Sequence, residues 1–295
     1  AMTCAKYLTP VVLELGGNDA AIIRADADLD RAAAGILWSG FANAGQSCGG
    51  AQRVLVDRRV HDAFLAKLAA RVAALRVGPG DDYGFDMGAM TSPRQKQAVE
   101  TQVAACLAAG ANIVATSAAP AEGNFLPAIV LGGVTPDMPV WKDEVFGPVV
   151  AVLPFDDDDQ AINLANDSPL GLTASVWSRD RRAAREMARR IRAGAVMIND
   201  HLMSHGLAET PWGGFGDSGM GRTHGEAGLA EMVRIQVVVD DILPGARKNL
   251  WWHPYSEEVY RGLKALILLL HGRGFGTRIK AALRVVRFFF RYWEK

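Results

Sequence analysis

Residues 45–56 read GQSCGGAQRVLV, a loop of small residues that leads into an apolar strand predicted over 53–56. An amphipathic helix is predicted directly after this strand, over 60–75. The same order recurs along the body of the chain, with further strands predicted at 11–13, 111–115, 127–131, 149–153, 173–177 and 195–199, and further helices at 28–42, 93–110, 161–166 and 181–192. Strands separated by helices favour an α/β fold with a mostly parallel sheet flanked by helices.

The composition excludes several classes of protein. With 49% hydrophobic and 22% charged residues, a chain of 295 residues can bury a sizeable core, which excludes a disordered tail or a collagen-like fibre. No apolar run reaches the roughly 20 residues that a membrane-spanning helix needs. The three scattered cysteines, Cys4, Cys48 and Cys106, favour free thiols in a reducing compartment over a disulfide framework or a metal knuckle. We therefore expect no metal site and a cytoplasmic location.

The formal net charge of zero conceals an uneven distribution of charge. Residues 245–295 carry 11 lysines and arginines against 3 acidic residues, whereas residues 1–244 carry 21 against 29. The same C-terminal segment holds 10 of the 23 aromatic residues. The chain thus combines an acidic body with a basic, aromatic-rich tail, and the tail needs an explanation of its own.

Two helices are predicted in this tail, after a linker at 243–245. The first begins behind a Ser256 cap and runs toward residue 270, and the second covers 277–293. Basic residues recur along the second helix at spacings of 4, 3 and 4, namely Lys280, Arg284, Arg287 and Arg291. Such a stripe beside apolar residues is typical of an interfacial helix on anionic lipid. The alternative is a helical hairpin packed on the body or on a partner subunit, and nucleic-acid binding is the weaker use of the charge.

Cys48 is a candidate nucleophile. It lies in a loop between small residues, with Ser47 before it and Gly49 and Gly50 after it, so little side-chain bulk surrounds it. As a thiolate it would be a strong nucleophile for a substrate that reaches the loop. Taken alone, the pattern also fits a buried structural cysteine, because free cysteine packs well in cores.

Two carboxylates stand in unusual surroundings. Glu14 lies at the end of an apolar strand, in the sequence ELGG, where burial would raise its pKa and suit it to proton abstraction from water. Glu144 begins the sequence EVFGP, in which a Gly-Pro turn holds an acid and the aromatic Phe146. The alternatives are a solvated loop carboxylate for Glu14 and an ordinary turn for 144–148.

Together these motifs resemble the aldehyde dehydrogenase superfamily. Members of that family have a general-base glutamate in an ELGG motif and a catalytic cysteine in a GQxC motif 34 residues later, which is also the separation of Glu14 and Cys48. The family's E-x-F-G-P motif follows, and here Glu144 lies 96 residues beyond Cys48. Residues 211–222, PWGGFGDSGMGR, are similar to its late PFGGxxxSGxGR element. The resemblance covers about residues 1–241.

The resemblance implies an aldehyde dehydrogenase-like catalytic domain and oxidation of an aldehyde to a carboxylic acid with NAD or NADP. Cys48 would attack the aldehyde, a backbone N–H near it would help to hold the oxyanion, and a thioester would follow hydride transfer. Glu14 would activate the water that hydrolyses the thioester. Glu144 would bind the hydroxyls of the nicotinamide ribose, and Phe146 would help to position the nicotinamide ring. The implied partners are a small-molecule aldehyde and further subunits, as a homo-oligomeric dimer or tetramer.

The resemblance covers only the later part of such an enzyme, so we expect a fragment that is inactive alone. Residues 1–14 would end the missing cofactor-binding domain, 15–215 would form the catalytic domain, 216–243 would return toward the cofactor and oligomerisation region, and 244–295 would form the tail. Two alternatives stay open. One is a non-catalytic paralogue that acts through its membrane- or subunit-binding tail, and the other is an enzyme that acylates coenzyme A, although members of that branch generally lack the Glu14 carboxylate.

Other residues are assigned no catalytic role. The loop histidines His201, His205 and His224 are expected to be solvated, because this chemistry needs none. The glycines of 214–219 fit the letters of a dinucleotide fingerprint, but the turn-rich residues before them predict a loop without a phosphate role. The acidic run 156–159 is expected to be a cluster at the N-terminus of a helix.

Overall fold

The computed structural model describes residues 1–80, 83–240, 243 and 245–294. The chain divides into two compact units, Ala1–Arg234 and Ile235–Lys295. The predicted return segment, 216–243, is therefore divided: residues 216–234 belong to the same unit as the predicted catalytic domain, and its described residues from Ile235 onward belong to the second unit. Pro244, at which the predicted tail begins, lies outside the described residues.

The first unit alternates strands and helices, as predicted. Its strands are β1 (Leu13–Glu14), β2 (Asp19–Ile23), β3 (Ala51–Asp57), β4 (Asn112–Thr116), β5 (Ile129–Gly132), β6 (Val149–Phe155), β7 (Leu170–Gly171), β8 (Thr173–Trp177), β9 (Ala195–Ile198), β10 (Phe215–Gly216) and β11 (Gly219–Met220). Its helices are α1 (Met2–Ala5), α2 (Leu29–Phe41), α3 (His61–Ala73), α4 (Pro93–Ala108), α5 (Pro139–Lys142), α6 (Asp158–Asn166), α7 (Arg181–Ala188), α8 (Met203–Gly206) and α9 (Gly225–Glu231).

Seven of the strands form one sheet in the order β4-β5-β6-β3-β2-β8-β9, in which every neighbouring pair except β4 and β5 is parallel. Helix α2 packs on β3 and β6, and α6 packs on β2 and β3. The predicted α/β fold with a mostly parallel sheet flanked by helices is confirmed.

The strand β2 is not among the strands predicted from the sequence, although it lies between β3 and β8 and all five of its residues are buried. A strand buried on both faces has no alternation of polar and apolar residues, so its pattern is weak. The strand predicted at 11–13 is also different in the structure. It covers only Leu13–Glu14 and pairs antiparallel with β11, outside the main sheet.

The N-terminus of α6 carries the acidic run as predicted. Asp157 caps the helix by accepting a hydrogen bond from the Gln160 N–H, at 2.8 Å between the heavy atoms. Its neighbours form salt bridges with basic residues, Asp156 with Arg58 and Asp158 with Arg24. The cluster therefore serves the helix end and surface ion pairs.

The second unit is built around a helical hairpin, α10 (Glu257–His271) and α11 (Phe275–Phe289), followed by a short 3-10 helix, Phe290–Trp293. Ser256 caps α10 as predicted, by accepting a hydrogen bond from the Val259 N–H. Gly262 lets the two helices approach, because a Cβ at this position would lie 2.3 Å from the Phe288 ring. Among the described residues, no helix is both long and apolar enough to cross a bilayer.

The predicted basic stripe loses its last member. Arg291 is buried, and its guanidinium donates hydrogen bonds to the carbonyls of Leu250, Trp252 and Pro254. This arginine holds the loop before α10 against the end of the hairpin. The stripe expected at Lys280, Arg284, Arg287 and Arg291 therefore keeps only its first three residues at the surface.

Candidate active site

The loop that carries Cys48 is shaped by the residues before it. Asn43 and Ala44 both have positive φ values, of 54° and 55°, which turn the chain sharply after α2. Gln46 fastens this turn, because its Nε2 donates to the Asn43 carbonyl and the Asn43 Nδ2 donates to the Gln46 carbonyl, each at 3.0 Å. The Gln46 Oε1 accepts the Thr91 N–H at 2.8 Å. The glutamine of the GQSC motif is thus a scaffold for the cysteine.

Two glycines bring the three sequence motifs into contact. A Cβ on Gly17 would lie 2.6 Å from the carbonyl oxygen of Cys48, so the ELGG segment runs directly over the cysteine's backbone. Gly45 has a φ of +67°, and a Cβ there would lie 2.1 Å from the Gly147 carbonyl oxygen. Because only glycine permits such close approach, the loop around Cys48 is packed between the ELGG and EVFGP segments.

The late PWGGFGDSGMGR element holds the segment that carries Glu14. Glu14 pairs with Gly219 in the β1–β11 ladder. Ser218 adds two bonds, since its hydroxyl donates to the Gly16 carbonyl at 2.7 Å and its own carbonyl accepts the Leu15 N–H at 3.1 Å. The prediction of a turn-rich loop at 214–219 is only partly right, because β10 and the start of β11 lie in this range and are joined by a turn. The range contacts β7 as well as the segment that carries Glu14.

Glu144 lies against the ELGG glycines, half-buried. Its Oε1 accepts the Gly17 N–H at 3.3 Å, and a Cβ on Gly16 would collide with its Oε2. Burial, the loss of hydration of the charged form, is the main cause that raises the pKa of the Glu144 carboxyl. Asn18 fixes the approach of this segment, because its Nδ2 donates to the carbonyls of Trp141 and Asp143.

Phe146 is half-buried and has a φ of +47°, which is uncommon for an aromatic residue. Side-chain amides hold the backbone around it. Gln95 donates to the carbonyls of Val145 and Phe146, at 3.2 and 3.1 Å, and Gln52 accepts the Val145 N–H at 2.8 Å. Neither glutamine was singled out from the sequence, because nothing local marks a glutamine as a support for a distant turn.

The Cys48 thiol sits in an environment that disfavours its thiolate. Burial is the largest cause that raises its pKa, and the negative charges of Glu14, Asp19 and Glu144 act in the same direction; together they bring the pKa to about 11. The Gly49 N–H acts in the opposite direction, because it hydrogen-bonds to the sulfur and lowers the pKa. The structure thus places the predicted nucleophile within electrostatic reach of both predicted carboxylates.

The expectation that the loop histidines are solvated is wrong for His201, which is fully buried beneath the Cys48 loop. Its Nε2 lies 3.1 Å from the Gly49 carbonyl oxygen, and its Nδ1 lies 2.7 Å from the Ser175 hydroxyl. A carbonyl only accepts, so Nε2 carries the proton and Nδ1 accepts from Ser175. Burial lowers the pKa of His201 to about 4, which keeps the ring neutral. His201 therefore positions the residue that follows the nucleophile.

Asp19 completes this buried layer and was also missed from the sequence. Its carboxyl accepts the Thr173 N–H and is bonded to the Thr173 hydroxyl, both at 2.9 Å. The same hydroxyl lies 3.3 Å from the Gly49 carbonyl. Burial is the main cause that raises the pKa of Asp19 to about 8, against the smaller opposing effects of Thr173 and the charge of Arg53.

Replacing Asp19 with asparagine is expected to change the pH dependence of stability. The unfolded chain loses the aspartate proton near pH 4, whereas the folded chain keeps it up to about pH 8, so the wild type loses stability as the pH rises between these values. Asparagine does not titrate. The free energy of unfolding of Asp19→Asn minus that of the wild type should therefore increase from pH 5 to pH 8, measured by urea denaturation. The surface variant Asp137→Asn is the control, and equal slopes for both variants would contradict the buried, protonated state of Asp19.

Comparisons with known proteins agree with this geometry. Residues 1–238 match the model of the aldehyde dehydrogenase family. A 4,4'-diapolycopene aldehyde oxidase from a Methylomonas species is 38% identical over 291 residues, which are 97% of this chain and 54% of that protein. The succinate semialdehyde dehydrogenase Sad of Escherichia coli is 37% identical over 235 residues, 79% of this chain and 50% of that protein.

Solved structures show the same relationship. A betaine aldehyde dehydrogenase from Staphylococcus aureus, solved with NAD+, superposes with a TM-score of 0.75 at 36% identity over 78% of this chain and 48% of the other. The NAD-dependent aldehyde dehydrogenase of Sinorhizobium meliloti gives a TM-score of 0.75 at 38% identity, over 78% and 46%. The chain thus spans about half the length of the relatives it matches. On the motifs, the fold and these matches, the chain belongs to the aldehyde dehydrogenase family.

Proposed function

We propose that the protein to which this chain belongs oxidises an aldehyde to a carboxylic acid with NAD(P)+, with Cys48 as nucleophile and Glu14 as general base. The observation that carries the proposal is the assembly of the three motifs around Cys48. The ELGG backbone runs over the Cys48 carbonyl, and Glu14 and Glu144 both act on the charge of its sulfur. A cysteine whose pKa responds to two carboxylates from separate segments of the chain is typical of a functional site rather than of a structural residue.

The residues divide the chemistry between them. The Cys48 thiolate forms a C–S bond to the aldehyde carbon, whose oxygen becomes an oxyanion. A hydrogen bond from the Gly49 N–H, which already faces the sulfur, stabilises this oxyanion. When bound, oxidised nicotinamide would supply the hydride acceptor that turns the thiohemiacetal into a thioester. Glu14 then takes a proton from water, whose oxygen adds to the thioester carbon. The C–S bond breaks, and the acid leaves with Cys48 restored as thiolate.

Glu144 and Phe146 fit a nicotinamide riboside. The Glu144 Oε1 takes one hydrogen bond from the Gly17 N–H, and within the part of the chain that the structure describes its Oε2 has no hydrogen-bond donor. A half-buried carboxylate with a free oxygen suits the two hydroxyls of a ribose. Phe146 offers an aromatic ring on a backbone fixed by Gln95. The roles of both residues, and the choice of NAD or NADP, belong to this proposal.

Selective labelling of Cys48 tests the proposal. In protein expressed from the complete reading frame, iodoacetamide should modify Cys48 faster as the pH rises, about tenfold per unit below its pKa, because the thiolate is the reacting form. An aldehyde that the protein oxidises should slow the labelling of Cys48. Cys4, half-buried in α1, is the internal control and should not be protected. Equal labelling of Cys48 with and without every aldehyde tried, and no NAD(P)H formed, would favour a non-catalytic paralogue.

An apolar aldehyde is the substrate class that we propose. The match to the Methylomonas protein covers 97% of this chain, whereas the E. coli match covers 79%. The match to the Methylomonas protein therefore extends into the basic tail. That relative is named for a diapolycopene aldehyde, which is a long apolar molecule. Comparing kcat/KM for alkanals of increasing length tests the class, and no gain with length would contradict it. The homo-oligomer and the cytoplasmic location stay predictions of the sequence.

A further inference from the structure

The helix α11 leaves an apolar stripe uncovered. Ile279, Leu283 and Val286, together with Phe290 just after the helix, recur at spacings of 4, 3 and 4 and are 45–68% exposed. Residues at these spacings share one face of a helix. The second unit therefore presents a continuous apolar ridge of four large side chains, which a surface in contact with water alone does not need.

A basic stripe runs beside this ridge. Lys280, Arg284 and Arg287 each follow one of the apolar residues by one position, which places them about 100° further round the helix. All three are exposed, and within the described ranges none of them forms a salt bridge. They line an open groove of about 490 Å³ between α10 and α11, in which Glu258 is the acidic residue. The lining of the groove therefore carries three positive charges and one negative charge.

The other side of α11 packs inside the unit. The opposite side of α11 buries Ala281 and Phe288 against α10, where Phe288 fills the space above Gly262. Arg291, the fourth residue of the predicted stripe, donates hydrogen bonds to backbone carbonyls of the same unit. The two stripes thus lie on the part of α11 that does not pack on α10.

We propose that this face of α11 docks on an anionic lipid surface, with the apolar ridge at the acyl boundary and Lys280, Arg284 and Arg287 at the phosphate headgroups. Large apolar side chains next to cations match the layered chemistry of a bilayer interface. Trp251 and Tyr255, both exposed in the same unit, are of the kind enriched at such interfaces. A nucleic acid would use the cations but not the ridge.

The cations give the docking its selectivity. Each one near an anionic surface strengthens binding about fivefold at moderate salt, so three contribute about a hundredfold together. The contribution is electrostatic and falls within a Debye length, so raised salt weakens it. With 15 residues, α11 is too short to span a bilayer, so the proposed contact is with the membrane surface. The inference does not depend on the proposed catalytic chemistry.

Vesicle flotation with the purified full chain tests the docking. We expect binding to phosphatidylcholine vesicles that contain about 30% phosphatidylglycerol, which gives them an anionic surface. We expect little binding to vesicles of phosphatidylcholine alone. The triple variant Lys280→Glu, Arg284→Glu, Arg287→Glu removes three positive charges and adds three negative ones, so it should bind the anionic vesicles at least about 100-fold more weakly. The pair Leu283→Ser and Val286→Ser should weaken binding while keeping the preference for anionic lipid.

A matched variant separates this face from net charge. Arg181, Arg185 and Arg189 are exposed on or beside α7 in the other unit, and their replacement by glutamate changes the net charge by the same amount. This control should bind vesicles like the wild type, and far-UV circular dichroism should show unchanged helix content in every variant. The proposal would be overturned if the two triple variants lost vesicle binding equally, or if the variant at Lys280, Arg284 and Arg287 bound like the wild type. Binding of the wild type to DNA without binding to vesicles would also overturn it.

Discussion

Replacement of Cys48 with alanine is expected to reduce aldehyde oxidation by about 10⁴-fold or more, because the covalent route is lost with its nucleophile. The substitution removes one sulfur atom from a half-buried loop position, so the fold should tolerate it. Loss of kcat with intact binding of the cofactor is the expected pattern. The measurement is NAD(P)H formation by protein expressed from the complete reading frame, with cofactor binding followed by fluorescence.

Cys4 supplies the control for this variant. It is a half-buried free cysteine in α1, and Cys4→Ala should keep nearly all activity. Cys48→Ser is a sharper comparison, because an alkoxide forms far less readily than a thiolate and the loop geometry is preserved. If Cys48→Ala kept more than a tenth of the wild-type activity, the nucleophile would have to lie elsewhere.

Glu14→Gln is expected to slow turnover about 10²- to 10⁴-fold, the usual contribution of a general base. The loss should fall on hydrolysis of the thioester and spare its formation. The variant should therefore release a burst of one NAD(P)H per active subunit and then stall as an acyl-enzyme. Intact-mass spectrometry should show the added acyl group on Cys48, and hydroxylamine, an external nucleophile, should remove it. Glu122→Gln, at an exposed loop position, is the control.

The same variant has a second, independent signature. The negative charge of Glu14 raises the pKa of the Cys48 thiol, so its removal should lower that pKa and speed alkylation at a fixed pH near 8. Slow turnover together with faster alkylation would show a site that is intact but lacks its base. Unimpaired hydrolysis would contradict the assignment of Glu14, and turnover that depends on coenzyme A would favour the acylating alternative.

The sequence alone determined the family and the candidate residues. The spacing of Glu14, Cys48 and Glu144, followed by the late glycine-rich element, carries the resemblance, and the family match over residues 1–238 bears it out. Most strands and helices of the first unit were also predictable, because each buries one face and shows its period in the sequence. The caps at Asp157 and Ser256 are local signals of the same kind.

The tertiary structure decided which polar residues work together, because burial and distance across the fold leave no local pattern. His201 looks like any loop histidine until the sheet places it under Gly49. Arg291 continues the spacing of a surface stripe, yet the chain before α10 folds over it and takes its hydrogen bonds. Asp19 keeps its proton only because the core strands bury it, and burial outweighs the opposing effect of its hydrogen bonds with Thr173. Motif spacing specifies the chemistry along the chain, whereas solvation and long-range hydrogen bonding exist only once the chain has folded.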